Sequence, residues 1–178
     1  MTDHQHLRRR RVVAGTLTVA LAVPFSVAAA TAASAAPDGS GLVINEAYLS
    51  GGSANAPYTH KFVELYNPTQ AAIDLSGMSL QYRSATSTGA FTGVTALTGS
   101  VAPGGYYLVQ GGANGSNGAA LPTPDATGGL NPSGTTGTLA LERSTSPVTL
   151  PSGNAAGAAY VVELIGYGTC LIYPSAGG

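Results

Sequence analysis

The strongest local signal in the sequence is a short apolar segment, residues 62–68, that ends at a proline. Pro68 cannot donate to a sheet ladder, and it pushes Asn67 toward an extended or turn conformation. The segment therefore predicts a β-strand that stops at a turn. Alternation gives the strand one half-solvated face and one core-facing side. The first carries Phe62, Glu64 and Tyr66, and the second carries Val63 and Leu65.

The first 35 residues predict a secretory signal peptide. Four arginines at positions 8–11 precede an apolar, alanine-rich run, and the small residues after it end in an A-x-A cleavage site. We place cleavage after Ala35, which leaves a short linker, residues 36–41. A membrane anchor is the alternative, but Pro24 interrupts the run, so we expect an extracellular protein with no membrane span after signal removal. The arginines leave Sec and twin-arginine export both open.

Charge is sparse in the portion that follows the predicted signal. Its three cationic side chains are Lys61, Arg83 and Arg143, and with seven acidic residues its net charge is −4. A polyanion binder needs a basic stripe that neutralises phosphates, and three scattered cations do not build one. The sequence therefore argues against direct binding of duplex nucleic acid.

Apolar segments recur between glycine-rich turns in the remaining portion, which at about 140 residues has the size of one domain. We predict strands over 42–49, 59–66, 73–77, 78–83, 94–97, 106–110, 138–142 and 160–168. The low-complexity stretch 111–134 is interpreted as a surface excursion, because a structureless loop of this length is uncommon inside a compact domain. Because no amphipathic helix competes, the fold class predicted is all-β, an antiparallel sandwich or barrel.

Several segments, taken in order, resemble the bacterial lamin tail domain family. They are residues 42–46, 62–68, 74–80 and 101–109, followed by a closing strand at 162–168. The resemblance covers roughly residues 42–169, and Met78 stands where the family often has tryptophan. It implies an immunoglobulin-like β-sandwich without chemistry of its own. The glycine- and alanine-rich style is similar to the leading domain of secreted actinobacterial nucleases, in which a catalytic endonuclease/exonuclease/phosphatase domain follows.

The C-terminal tail, residues 170–178, is atypical for such a relative. It carries Cys170, and a lone cysteine in an exported chain indicates either intermolecular pairing or a free thiol. Two interpretations stay open, a fragment or frameshifted form of a larger enzyme and a genuine short protein.

The candidate chemical groups are few. Glu46 and Glu64 lie on strands that could be neighbours, yet we expect structural roles, with Glu46 accepting loop hydrogen bonds and strand carboxylates pairing with cations such as Lys61. His60 is interpreted as an exposed loop-end histidine, since no nucleophile elbow accompanies it. Asp74 and Asp125 lack the spacing of a calcium motif.

The nine tyrosines are the best indication of recognition, either as sugar- or base-stacking rings or as ordinary strand residues. We predict no catalytic residue, no cofactor-binding residue, no metal ligand and no cofactor. The function predicted is a secreted, non-catalytic accessory or interaction module that displays its loops, chiefly 111–134, to a cell-surface or protein ligand. The alternatives are the truncated N-terminal part of a nuclease and a carbohydrate-binding module.

Overall fold

The computed structural model describes residues 39–174, so the predicted signal peptide, residues 1–35, lies outside the described residues. Every regular element in this range is a β-strand. The same range contains no helix with the length and apolarity needed to cross a bilayer.

Twelve strands follow one another along the described part of the chain. They are β1 Val43–Tyr48, β2 Phe62–Tyr66, β3 Ile73–Asp74, β4 Ser79–Arg83, β5 Gly93–Ala96, β6 Ser100–Val101, β7 Tyr106–Gln110, β8 Ala126–Thr127, β9 Gly137–Glu142, β10 Gly153–Asn154, β11 Val161–Tyr167 and β12 Ile172–Tyr173.

Two four-stranded sheets organise these strands. The first sheet has the order β1-β2-β7-β8, antiparallel except for the parallel pair of β7 and β8, and the second has the order β11-β9-β4-β5, antiparallel throughout. Two ribbons, β3 with β6 and β10 with β12, complete the fold. The predicted all-β, immunoglobulin-like antiparallel sandwich is confirmed.

The main core fills the space between the two sheets. Val63 and Val109 of the first sheet and Leu80 and Leu139 of the second are all 0 % exposed. Burying an aliphatic side chain of this size stabilises a fold by about 1.5–3 kcal/mol, so the alternation of apolar residues in these strands supplies the principal driving force. Met78 is also buried in this core.

The turn after β2 is fixed by the buried side chain of Asn67. Its Nδ2 donates to the carbonyl oxygens of Ala71 at 2.8 Å, Val101 at 2.9 Å and Ala102 at 3.1 Å. Its Oδ1 accepts from the backbone N–H of Thr69 at 3.0 Å. The Asn-Pro stop predicted from the sequence therefore joins its own turn to residues 101–102.

A second, smaller core covers the outer face of the second sheet. Residues 144–158, called here the covering segment, lie over this face with Leu150 and Ala155 buried against Ala140 and Leu164. Backbone groups of the segment also satisfy polar residues of β4, since Val148 N–H donates to Gln81 Oε1 at 3.0 Å. The second sheet is therefore packed on both faces.

Candidate functional site

The outer face of the first sheet carries a mixture of aromatic and acidic side chains. The register sets Tyr48 opposite Phe62, and Glu46 opposite Glu64. On the other side of β2, Glu64 lies opposite Leu108. Because alternate residues of a strand share a face, an aromatic row and an acidic row run side by side across β1 and β2, and Leu108 continues the acidic row onto β7.

A β-bulge brings the two carboxylates into register. The pairing of β1 with β2 shifts between Ile44 and Glu46, which leaves Asn45 as the extra residue. Ile44 packs against the core while Glu46 is exposed on the outer face, an arrangement that strict alternation forbids. Asn45 Nδ2 donates to Glu64 Oε1 at 2.7 Å. Two adjacent polar residues in an apolar strand were the sequence signal for this bulge, and our prediction missed it.

Three aromatic rings form one end of this face. The ring centroids of Tyr48 and Phe62 are 5.3 Å apart in a stacked arrangement. Tyr58 meets both rings edge-on, at 6.0 Å from Tyr48 and 5.9 Å from Phe62. Such geometries add roughly 0.5–1.5 kcal/mol per pair to the area buried. Phe62, predicted on a half-solvated face, is therefore buried by its neighbours at 8 % exposure.

A second aromatic pair lies at the opposite end of the face. Tyr66 and Tyr106 are cross-strand partners with ring centroids 4.8 Å apart, and Tyr106 is 59 % exposed. Along one face of a strand, alternate residues are separated by about 6.6 Å, so these rings lie one step beyond Glu64. The acidic pair thus has aromatic side chains on both sides along β2.

A groove opens between the acidic row and the aromatic end. Its volume is about 370 Å³, and it is walled on one side by residues 121–123. Glu46, Glu64, Tyr58, Phe62 and Leu108 line the rest of it. This groove could not be predicted from the sequence, because its wall comes from a glycine-rich loop far from β1 and β2 along the chain.

That loop, residues 111–134, is mostly exposed, as a surface excursion should be, yet it is held to the fold along its length. Thr59 N–H donates to Ala119 O at 2.8 Å, and strand β8 within the loop pairs with β7. Leu130 is 1 % exposed and belongs to the main core. Backbone pairing and one buried leucine therefore fix a stretch whose composition is typical of a free loop.

Glycines permit the close approach of this loop to the segment before β2. Gly52, at φ +77°, and Gly115 meet so closely that a Cβ on Gly52 would lie 2.2 Å from the Gly115 carbonyl oxygen. No other residue type fits there without moving the backbone. The wall of the groove is therefore anchored by backbone-to-backbone contact.

Lys61 does not pair with a strand carboxylate, which corrects our prediction. It is 4 % exposed, and its Nζ donates to Asn131 Oδ1 at 2.9 Å and to Pro132 O at 2.6 Å. Burial lowers the pKa of Lys61. The lysine directly before β2 therefore binds the end of the loop through hydrogen bonds and does not pair with Glu46 or Glu64.

The remaining candidates are scattered. Asp74 accepts from Ser76 N–H at 2.9 Å, which lowers the pKa of its carboxyl, and Asp125 Oδ2 accepts from Leu108 N–H at 2.7 Å. His60 lies in the bend before β2 and is half-buried, not exposed as predicted. Within residues 39–174, no group of three or more histidine, cysteine, aspartate or glutamate side chains could hold a metal ion.

The second sheet contains two carboxylates in apolar surroundings. Glu142 on β9 is 0 % exposed, neither of its oxygens has a hydrogen-bond partner, and burial raises its pKa to about 7. Burial also raises the pKa of Glu163 on β11, and a backbone hydrogen bond from Leu164 opposes this shift. Neither residue was singled out from the sequence. Glu142 is the last residue of its strand, and a glutamate at a strand end is usually exposed to solvent.

No curated protein matches this sequence. The model of the Lamin Tail Domain family matches residues 35–161, which is well over half of the chain. The matched residues include β1, β2, β4 and β7, which the resembling segments supply, whereas β11 begins only at Val161, where the match ends. The chain therefore belongs to the lamin tail domain family, whose domain is an immunoglobulin-like module.

Proposed function

We propose that this chain is a secreted, non-catalytic interaction module that binds a partner protein through the outer face of the first sheet. One observation carries the proposal. The covering segment packs on the outer face of the second sheet, whereas the first sheet keeps its aromatic and acidic side chains around a groove. Clefts with convergent polar and aromatic groups are the usual places of ligand binding.

The chemistry around the groove supports a binding role over a catalytic one. Paired carboxylates act as acid and base when their surroundings separate their pKa values, or when a cation or metal completes the site. The groove is lined by glutamate, aromatic and aliphatic side chains together with residues 121–123. Lys61 is engaged with Asn131 and Pro132, and Arg83 is buried with its Nη1 donating to Gly89 O at 2.7 Å.

The charge distribution supports a protein partner over a nucleic acid. Two of the three cationic side chains that follow the predicted signal, Lys61 and Arg83, are buried, and Arg143 alone is exposed. Phosphate backbones are bound by rows of accessible lysine and arginine. An acidic open face repels a polyanion and suits a cationic or neutral partner.

Secretion is part of the proposal and rests on the arginine run, the apolar run and the A-x-A site of the N-terminus. N-terminal sequencing of the protein recovered from culture medium should begin at Ala36. Recovery of the uncleaved chain in the membrane fraction would contradict this part of the proposal.

A second candidate is the leading domain of an extracellular nuclease. The family membership and the style of the sequence favour it, and hydrolysis of the phosphodiester would then reside in residues outside this chain. Reading all frames of the DNA downstream of Gly178 tests it. A nuclease-like catalytic sequence there would support this candidate, and its absence would remove it.

The interaction role is tested with the purified mature chain. Exported proteins of the producing organism are passed over it and over a Leu108→Arg variant, which places a bulky cation in the groove. A captured protein counts only if the same protein, once purified, binds the wild type and loses at least about tenfold in affinity for the variant. Hydrolysis of DNA or RNA by the mature chain with Mg²⁺ or Ca²⁺ would overturn the non-catalytic assignment.

A further inference from the structure

We propose that the groove on the first sheet is a recognition site for an arginine side chain carried on an extended segment of the partner protein. This inference rests on the proposed interaction role and names the chemistry of the partner. It follows from three properties of the groove, namely uncompensated negative charge, aromatic walls and a size that suits one long side chain.

Among residues 39–174, no cationic side chain pairs with the two carboxylates of the groove. Glu46 and Glu64 are direct cross-strand partners, a relation that places Cβ atoms about 4.5–5.5 Å apart, and like charges in this relation destabilise a sheet. Lys61, the cationic residue directly before β2, is buried, and its Nζ donates to Asn131 Oδ1 and Pro132 O. A cation supplied from outside would convert this repulsion into attraction.

The hydrogen bond from Asn45 prepares one of the two carboxylates. It holds Glu64 Oε1 at 2.7 Å and so restricts the rotation of the side chain, while Oε2 stays available to a ligand. Glu46 is exposed and free to adjust its position. A guanidinium presents several N–H donors in a planar fork, so it can engage both carboxylates at once, which a compact ammonium does less well.

The aromatic walls distinguish arginine from a small inorganic cation. Tyr58 and Phe62 line the groove beside the carboxylates, and Tyr58 is 36 % exposed. A guanidinium stacks on aromatic faces and is only weakly hydrated, so its transfer from water costs little. A Ca²⁺ or Mg²⁺ ion, in contrast, gains nothing from aromatic walls, and no group of three or more histidine, cysteine, aspartate or glutamate side chains within residues 39–174 could hold one.

The dimensions suit one side chain on a strand-like segment. At about 370 Å³ the groove lies at the small end of the range of about 300–1,000 Å³ for ligand sites. Tyr66 and Tyr106 continue the same face beyond the carboxylates and provide a surface for the backbone next to the arginine.

The test measures binding of short labelled peptides, each with one central residue among glycines and serines, to the mature chain by fluorescence anisotropy. The central residue is arginine, lysine or citrulline, the last being a neutral isostere of arginine. We expect the arginine peptide to bind, the citrulline peptide to bind at least about tenfold more weakly, and the affinity to fall with added salt. Lysine should fall between them.

Two variants and one matched control locate the site. Glu46→Gln and Glu64→Gln each remove one charge from the groove, and a glutamine at position 64 can still accept the hydrogen bond of Asn45. Each variant should lower the affinity for the arginine peptide about fivefold or more. Asp74→Asn removes one charge elsewhere, where its Oδ1 can still serve Ser76, and should leave the affinity within about twofold.

Each outcome bears on the proposal. Equal binding of arginine and citrulline peptides, no binding at low-millimolar peptide, or equal effects of all three variants would overturn arginine recognition. Binding of a neutral oligosaccharide such as cellohexaose in place of the peptide would show a glycan site. In those cases the interaction role still stands if the Leu108→Arg variant loses a reconstituted partner, so the two proposals fail separately.

Discussion

Glu142 should make the folded protein less stable as the pH rises. Its side chain is 0 % exposed, both carboxyl oxygens lack hydrogen-bond partners, and its register neighbours are Ser79 and Val161. Burial disfavours the charged form and raises the pKa to about 7 from an ordinary value of 4.5. The folded state therefore keeps a proton at this site that the unfolded chain releases.

The sign and size of the effect follow from this difference. Between pH 4.5 and 7 this site binds more protons in the native state than in the unfolded state, so the contribution of Glu142 to stability is greatest below pH 4.5 and declines until about pH 7. The full shift corresponds to about 3 kcal/mol at 1.36 kcal/mol per pKa unit. Ionisation lets a buried carboxylate draw in water and relax, so we expect a loss of about 2 kcal/mol.

Urea unfolding of wild type and Glu142→Met at pH 5 to 8 measures this loss. The methionine keeps the volume and removes the charge, so it should be more stable than wild type at pH 8 by about 2 kcal/mol and should lose most of the advantage at pH 5. Glu142→Gln should also lose the slope but gain less, because its amide stays unpaired. Glu163 contributes equally to each protein and cancels. Parallel curves for wild type and Glu142→Met would refute the reasoning.

Three further predictions concern stability and use the same unfolding assay. Asn131→Ala removes one of the two acceptors of the buried Lys61, so it should lower the free energy of unfolding by about 2 kcal/mol and speed hydrogen exchange at residues 111–134. An unchanged unfolding midpoint would show that Pro132 O alone satisfies Lys61. Asn67→Ala removes hydrogen bonds to three carbonyl groups and should cost about 3 kcal/mol, and a loss below about 1 kcal/mol would contradict its central role. Tyr160 has φ +73°, so Tyr160→Asn should gain about 1 kcal/mol, and destabilisation would mean that the exposed ring makes needed contacts.

The long strands could be predicted because their signal is local. In β2 and β7, apolar residues alternate with polar or aromatic ones and a proline or a glycine pair marks the boundary, so the predicted ends agree with the observed ones within a few residues. Four of the five two-residue strands, β6, β8, β10 and β12, carry no such pattern. They exist because a partner strand happens to lie beside them, which is information that a local window does not contain.

The candidate site could be predicted only in part for the same reason. Alternation correctly placed Glu64 and Tyr66 on one face of β2, and neighbouring strands were foreseen for Glu46 and Glu64. The bulge at Asn45 and the wall at residues 121–123 depend on contacts between distant segments. Lys61 was misinterpreted because a lysine is usually solvated, whereas here two carbonyl oxygens replace water.

The two sheets show why an alternating pattern need not mean a solvated face. In β4 the polar residues alternate with apolar ones, yet all five are buried. The backbone of the covering segment takes the place of water as the hydrogen-bond partner of the polar side chains. Gln81 Oε1 accepts from Val148 N–H, and Arg83 donates to Leu150 O at 3.3 Å. In β2 the same pattern leaves Glu64 half-buried beside a groove. The backbone of the covering segment thus takes the place of water for the polar side chains of β4, whereas Glu46 and Glu64 stay open to solvent with no ion pair to a cation of residues 39–174. An accessible acidic face of this kind is where a ligand from solution gains by binding.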